Sequence, residues 1–205
     1  MKRNILLTLV AVVICGLAVT LFTQCNKDKN KNPEVRMMYY VSVSPDVLNV
    51  ADVEINYLDA TGAQQKEILT DTAWKKPLET NTLPLTEGVW AKLTPKASIT
   101  DGNYQLSLRT VAAYDAILSD GTNAHDGWEN VNSDITIAQN AEEIAAWCAQ
   151  IPAVAIAIDK EGSSEITQVD FGGNYDYDPS GYKSTLCVGW CWLFGYDPEE
   201  RCEKW

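Results

Sequence analysis

The sequence has 205 residues, enough for one domain with a sizeable hydrophobic core, and a formal net charge of −12 at pH 7. An acidic chain without a basic patch argues against nucleic acid as a partner and against direct adhesion to anionic lipid. The single histidine, His125, limits Ser/His/Asp and Cys/His catalysis to one candidate base.

The start of the chain has the pattern of an export signal. A short positive segment precedes an apolar run over 5–22, which predicts a secretory signal peptide. Cys25 follows this run and resembles the lipid-modified cysteine of Bacteroidetes-type lipoproteins, although Phe22 and Gln24 depart from the strict lipobox. We therefore predict a signal peptide over 1–24 and lipid on Cys25. The alternatives are a plain cleaved signal and an uncleaved membrane anchor.

Residues 25–34 form the predicted lipidated cysteine and its tether. The stretch NKDKNKNPE has no apolar residue before Pro33, so it is too short and too polar to fold. By resemblance to the same lipoproteins, its lysine-rich character favours a periplasm-facing position on the outer membrane over export to the cell surface. The predicted location is the cell envelope, with the membrane as a partner through the lipid anchor.

Four stretches of alternating apolar and polar residues predict half-buried β-strands, because successive side chains of a strand point to opposite faces. They are 37–44, 52–57, 89–94 and 104–109, and turn signals stand at 59–62, 87–88 and 101–103. Further candidate strands are 64–69, 135–137, 154–158 and 165–171, the last two joined by a hairpin loop. This spacing predicts a mainly β domain over 35–175, an antiparallel, immunoglobulin-like β-sandwich.

One short amphipathic helix interrupts the strands. Asn140 is a candidate N-cap, and Glu143 follows three residues later, as in a capping box. One apolar face of the helix would consist of residues with the spacing i, i+3, i+4 and i+7, which are Ile144, Trp147, Cys148 and Ile151. We predict a helix near 140–150 that packs over an edge or end of the sandwich.

Trp90 is a candidate ligand-stacking residue. If Val89 and Ala91 face the core, Trp90 points to the other side of its strand, where an exposed aromatic ring can stack on a sugar or a partner. Because a large apolar ring is more stable away from water, we favour the interpretation that another segment of the chain covers Trp90. The apolar run LCVGWCWLFGY near the C-terminus is the predicted cover, because such a segment avoids water.

Two other features contain residue types that take part in catalysis or metal binding. His125 lies in a polar stretch with no partner motif, which predicts a solvated loop histidine and no catalytic residue. Asp176, Asp178 and Ser180 match the first ligand positions of a calcium loop, but Cys187 stands where the loop needs a bidentate glutamate. We predict a plain polar turn there, with no metal and no cofactor, and keep calcium as the weaker alternative.

The cysteines predict disulfides in the segment 176–205, the C-terminal tail. If Cys15 is removed with the signal peptide and Cys25 carries lipid, the exported chain keeps an even number of cysteines that can pair: Cys148, Cys187, Cys191 and Cys202. Direct Cys187–Cys191 pairing needs a tight turn, so we expect Cys148 to join one of these two and Cys202 the other. The tail would then be stapled to the sandwich. Free buried thiols are the alternative.

The stretch YVSVSPDVLNVADVEINYLDATG, with LTDTAWKK and GVWAKLTPK further on, resembles a group of uncharacterised Bacteroidetes lipoproteins with an immunoglobulin-like or transthyretin-like sandwich. The likeness implies a fold and brings no catalytic or binding residue.

Two classes of function remain: a non-catalytic, lipid-anchored protein that binds a partner protein or glycan, and an envelope hydrolase. The scarcity of catalytic motifs favours the first, whereas a deep cleft with acids around His125 would favour the second.

Overall fold

A computed structural model describes residues 31–172 and 182–184 of the chain, and for 131–135 and 182–184 it describes the backbone alone. These residues form ten β-strands and two short α-helices. The strands are β1 (Glu34–Val43), β2 (Ala51–Leu58), β3 (Gln64–Ile68), β4 (Ala73–Thr80), β5 (Leu85–Pro95), β6 (Tyr104–Ile117), β7 (Asn123–Ala138), β8 (Val154–Ile158), β9 (Ser164–Ile166) and β10 (Tyr182–Ser184). The helices are α1 (Pro45–Val50) and α2 (Ala141–Cys148).

The described strands form two five-stranded sheets. Sheet A has the order β10-β7-β6-β1-β4, and sheet B has the order β3-β2-β5-β8-β9. Neighbouring strands in both sheets are antiparallel. The prediction of a mainly β, antiparallel sandwich is therefore confirmed. Sheet A also extends beyond the boundary that we predicted at residue 175, because β10 pairs with β7.

Apolar side chains from the facing sides of the two sheets fill the space between them. The alternating patterns read from the sequence place every second residue there, since a strand has a side-chain period of two. The main cluster includes Tyr39, Val41, Val53, Ile55, Val89, Ala91, Leu93, Leu106 and Leu108, all of them buried. Burying one such side chain stabilises the fold by about 1.5–3 kcal/mol, so this shared core holds the sheets together.

Helix α2 begins as the sequence predicted. The Asn140 side chain accepts a hydrogen bond from the Glu143 backbone N–H at 3.0 Å, and Glu143 Oε2 accepts one from the Gln139 N–H at 2.7 Å. The helix buries Ile144, Trp147 and Cys148 in the main core. Both described helices are short, and neither has the length and apolar character needed to cross a membrane.

Glu67 of β3 in sheet B forms hydrogen bonds with side chains of β4 in sheet A at one edge of the sandwich. Its Oε1 accepts hydrogen bonds from the Lys76 ammonium at 2.7 Å and the Tyr57 hydroxyl at 2.9 Å. Its Oε2 accepts one from the Trp74 indole N–H at 2.8 Å. These bonds, the one from Lys76 first, hold the pKa of Glu67 below its usual value. One carboxylate thus ties side chains of both sheets together.

Several sequence predictions of local structure were wrong. The turn expected at 87–88 lies inside β5, where Glu87 pairs with Ile156 of β8. The stretch around His125, predicted to be a loop, is the first half of β7 and pairs with β6. We predicted neither α1 nor β4. In β4, lysines and Pro77 obscure the alternation of apolar and polar residues. An edge strand tolerates a proline because one side of its backbone forms no hydrogen bonds with another strand.

Candidate functional site

Three connections between strands meet at the end of the sandwich where β1 begins. They are the β2–β3 turn (59–63), the β4–β5 link (81–84) and the β8–β9 turn (159–163). The strand registers bring them together. Val35 near the start of β1 lies opposite Thr80 at the end of β4, and Leu85 at the start of β5 lies opposite Ile158 at the end of β8.

Asp59 organises the β2–β3 turn. Its Oδ1 accepts hydrogen bonds from the backbone N–H groups of Thr61 and Ala63, at 2.9 and 3.1 Å, and from the Thr61 hydroxyl at 2.7 Å. The Thr61 hydroxyl is the first cause that lowers the pKa of Asp59, to about 2. Gly62 has a φ of +80°, a conformation that glycine adopts without steric cost. The sequence predicted this turn, and the structure confirms it.

The β8–β9 turn repeats this arrangement. Asp159 Oδ1 accepts hydrogen bonds from the backbone N–H groups of Glu161 and Ser163, at 2.9 and 2.8 Å. Gly162 has a φ of +77° and donates its N–H to the Asp159 carbonyl at 3.3 Å. The two turns therefore present similar loops to the space between them.

Sheet A holds the β8–β9 turn in place. The Tyr114 hydroxyl donates to the Gly162 carbonyl at 2.6 Å, and the Ser164 hydroxyl donates to the Asp126 carboxylate at 2.5 Å. The approach is so close that a Cβ on Gly162 would lie 2.4 Å from the Ala124 Cβ. This turn is thus a fixed wall of the site.

A cleft of about 1060 Å³ opens between these connections. Buried apolar residues form its floor: Met37 and Ile158. Its polar lining consists of hydroxyl, amide and carboxylate side chains: Asp59, Thr61, Thr80, Asn81, Thr82, Thr86, Asp159, Ser163, Ser164 and Glu165. Among the described residues that line the cleft there is no lysine, arginine, histidine or aromatic residue. The cleft therefore offers hydrogen bonds and negative charge above an apolar floor.

Glu87 lies between the sheets, on the same face of β5 as the cleft residue Leu85. It is 0% exposed, and neither carboxyl oxygen has a hydrogen-bond partner among the described residues. Burial raises the pKa of Glu87 well above its usual value, because the charged form of a carboxyl group is penalised in an apolar environment. We missed this residue because 87–88 reads as a turn. In a strand, Glu87 lies on the same face as the core residues Val89 and Ala91, and this spacing is the sequence signal that could have identified it as buried.

Trp90 is covered, and its interpretation as an exposed ligand-stacking residue is wrong. The side chain is 6% exposed, and its indole N–H donates to the Ile151 carbonyl at 2.9 Å. It belongs to an apolar cluster with Leu58, Ala153 and Phe171. The described cover therefore comes from the segments after α2 and β9, whereas the predicted cover near the C-terminus lies outside the described residues.

The cleft does not include His125. This histidine is half-buried in β7, opposite Asp115 of β6, where both residues point away from sheet B. The arrangement that would have favoured a hydrolase, acids around His125 in a deep cleft, is not present among the described residues that line the cleft.

Cys148 is buried in the main core and has no disulfide within the described ranges. Burial raises the pKa of its thiol to about 11. The predicted partners Cys187 and Cys191 lie outside the described residues, as do Cys25 and Cys202. The disulfide pairing therefore stays a prediction.

The remaining site predictions concern metals. The weak calcium candidates Asp176, Asp178 and Ser180 lie outside the described residues. Among the described side chains, no group of three or more His, Cys, Asp or Glu residues is placed to hold a metal ion. No family model, curated protein or solved structure matches the chain. The cleft is thus the feature from which a function can be argued.

Proposed function

We propose that this protein is a non-catalytic, lipid-anchored module of the cell envelope that binds a segment of a partner protein in the cleft. The observation that carries the proposal is the cleft itself, with its volume of about 1060 Å³. Ligand sites are typically concave, with volumes of about 300–1,000 Å³, a mainly apolar lining and a few placed polar groups. The cleft lies at the upper end of this volume range, and it combines apolar residues such as Met37 and Ile158 with hydroxyl side chains such as Thr82 and Ser163.

The side chains around the cleft favour a peptide over a glycan. Sugar rings stack on aromatic faces, and no aromatic residue is among the described residues of the lining. Asp59, Asp159 and Glu165 supply negative charge without a basic residue beside them in the lining. Charge complementarity then favours a neutral or positively charged segment of the partner.

The same end of the sandwich receives the chain from the proposed anchor. Glu34, the first residue of β1, pairs with Ile117 next to the β6–β7 turn. Residues 26–33 can span about 29 Å at most when fully extended, so lipid on Cys25 would keep the cleft near the membrane surface. Its acidic lining disfavours anionic lipid headgroups as the ligand. We place the protein on the outer membrane, facing the periplasm.

Calorimetric titration of the chain from Pro33 onward tests this function. The probes are short peptides of matched length that are lysine-rich, neutral or glutamate-rich, together with neutral oligosaccharides. We expect the lysine-rich or neutral peptides to bind and the glutamate-rich peptides to bind weakest. Thr82→Arg places a positive charge in the cleft and should weaken binding about tenfold, or about 1.4 kcal/mol.

Asn103→Arg is the matched control, because Asn103 is exposed next to Tyr104, where β6 starts at the opposite end of the sandwich. It makes the same charge change and should leave binding unchanged. Oligosaccharide binding without peptide binding would replace the peptide by a glycan. Equal effects of the two arginines, or tightest binding of the acidic peptides, would contradict the proposed site.

A further inference from the structure

Glu87 lies one layer of side chains below the cleft. In β5, Leu85 lines the cleft and pairs with Ile158 of β8, whereas Glu87 lies two residues further along and pairs with Ile156. Side chains two residues apart share one face of a strand, so Glu87 and Leu85 point to the same side. Ile156 packs in one apolar cluster with the floor residues Met37 and Ile158. The Glu87 side chain therefore lies next to the side chains that separate the cleft from the core.

The fold gives the Glu87 carboxyl group no partner among the described residues. The residue is fully buried, and neither carboxyl oxygen has a hydrogen-bond partner there. None of the described ion pairs includes it. Such groups are rare in folded proteins, because a carboxyl group that leaves water without gaining a hydrogen bond costs free energy. A buried acid beneath a cleft that folding leaves without a partner indicates a group that is paired when a ligand is bound.

The groups that face Glu87 from the neighbouring strands supply no positive charge. Tyr39 of β1 lies beside it, since the Gly88 N–H donates to the Tyr39 hydroxyl at 3.2 Å. Burial raises the pKa of Tyr39, and Glu87 raises it further. Burial likewise raises the pKa of Tyr114 of β6, and Glu87 is again among the acids that add to the effect. The other acids that act on these two tyrosines are Asp59, Asp126 and Asp159.

We propose that Glu87 pairs with the ammonium group of a lysine side chain of the bound partner segment, which enters the core through the floor of the cleft. The pairing rests on the proposed function, since the lysine belongs to the segment that we propose to bind in the cleft. It adds the group that the cleft selects. The acids of the lining, Asp59, Asp159 and Glu165, attract the cation to the entrance.

The dimensions suit a lysine side chain. Two residues of a strand span about 6.7 Å, which is the step from the level of Leu85 to the level of Glu87. The four-carbon stem of an extended lysine carries its ammonium group about 6 Å from the Cα atom. Its apolar stem matches the floor residues, and its charge reaches beyond them. Met37 can make room, because the unbranched methionine side chain adapts its shape readily.

A buried carboxyl group is also a selective partner for a cation. Folding has already removed water from Glu87, so this part of the desolvation does not recur when the ligand binds. An apolar side chain of the same length would fill the same space but leave the carboxyl oxygens unpaired. We therefore expect the cleft to prefer lysine over norleucine, which has the four-carbon stem without the ammonium group.

Calorimetric titration of the full chain and of its Glu87→Gln variant tests the pairing. The probes are the tightest-binding neutral peptide of the titration above with a single lysine, or norleucine in its place, at the centre. The unmodified chain should bind the lysine peptide at least about tenfold more tightly than the norleucine peptide. In Glu87→Gln this preference should fall to within about twofold, because the comparison isolates the interaction of the two changed groups.

Glu142→Gln is the matched control, because Glu142 is exposed in α2 and the substitution removes the same charge away from the cleft. It should keep the full preference for lysine. A preference that survives in Glu87→Gln and is lost in Glu165→Gln would overturn the proposal, since the lining would then select the cation. Equal binding of the two peptides by the unmodified chain would also overturn it and would leave the proposed function standing. Failure of every peptide to bind would instead refute the proposed function.

Proton release by the unmodified chain keeps the test valid if Glu87→Gln does not fold. A bound cation favours the charged carboxylate and so lowers the raised pKa of Glu87. Binding of the lysine peptide should therefore release more protons than binding of the norleucine peptide within pH 5–8, where the lysine itself stays charged. Calorimetry in two buffers with different ionisation enthalpies measures this release. Equal release with both peptides at every pH would overturn the proposal.

Discussion

Glu87 is a carboxyl group in an environment that disfavours its charged form. It lies on the inner side of β5, and its pKa is raised well above the usual value by desolvation. Nearby, the Tyr39 hydroxyl accepts a hydrogen bond from the Gly88 N–H at 3.2 Å, and its own pKa is raised by burial first and by Glu87 second. Buried polar groups without partners cost stability, so Glu87 is a weak point of the core.

This environment predicts a pH dependence. The side chain loses its proton near the ordinary pKa of 4.5 in the unfolded chain, whereas the folded chain keeps the proton to a much higher pH. Unfolding therefore releases a proton at pH values between 4.5 and the raised pKa of the folded chain. The free energy of unfolding should fall as pH rises towards the folded pKa, with a contribution of about 1.4 kcal/mol per pH unit from this group.

Glu87→Met should remove this contribution and make the protein more stable than wild type at pH 8. Urea unfolding between pH 5 and pH 8 measures the effect. Glu34→Met is the control, because Glu34 is exposed in β1, and it should keep the wild-type slope. Parallel profiles for wild type and Glu87→Met would show that Glu87 ionises in the folded protein.

At the level of the elements, the β2–β3 and β8–β9 turns share their hydrogen bonds but differ in their surroundings. Gly62 and Gly162 both have positive φ, of +80° and +77°. A Cβ on Gly62 would meet nothing within 4 Å, whereas a Cβ on Gly162 would lie 2.4 Å from Ala124. The first turn projects freely, and the second is packed against sheet A.

Alanine at the two positions separates backbone strain from packing. Gly62→Ala should reduce the free energy of unfolding by about 1–2 kcal/mol, the cost of a left-handed conformation for an L-residue. Gly162→Ala should lose about 1–3 kcal/mol more, because the added carbon collides with Ala124. Urea unfolding of both variants gives the comparison. Equal losses would mean that the β8–β9 turn is not held against sheet A.

The same elements show what the sequence could predict. The 59–62 turn was recognisable because its aspartate and glycine are local signals, and the amphipathic helix was recognisable from Asn140 and its apolar face. Strand β4 was hidden because its lysines and Pro77 suit an edge strand, and the loop interpretation at His125 failed because the partner strand supplies the pairing. The cleft depends on registers between distant strands, such as Leu85 with Ile158, which no local pattern encodes.

For the whole molecule, the proposed lipid on Cys25 would place the cleft end of the sandwich near the membrane. Cys25→Ala should move the protein from the membrane fraction to the soluble fraction, and the mature mass should lose its acyl groups. Cys15→Ala is the matched control, because the apolar run continues past Cys15, and it should leave the protein membrane-bound. Equal membrane binding of both variants, with no acyl mass on wild type, would refute the anchor.

We propose that the cleft between the three connections is the binding site. The most direct measurement is a nuclear magnetic resonance titration of the isotope-labelled chain from Pro33 onward with a short lysine-containing peptide. We predict amide shifts concentrated at 59–63, 81–86 and 159–165, which need about tenfold more peptide in Thr82→Arg and are unchanged in Asn103→Arg. Shifts confined to the opposite end near 100–103, or no shifts at millimolar peptide, would show that the cleft is not the binding site.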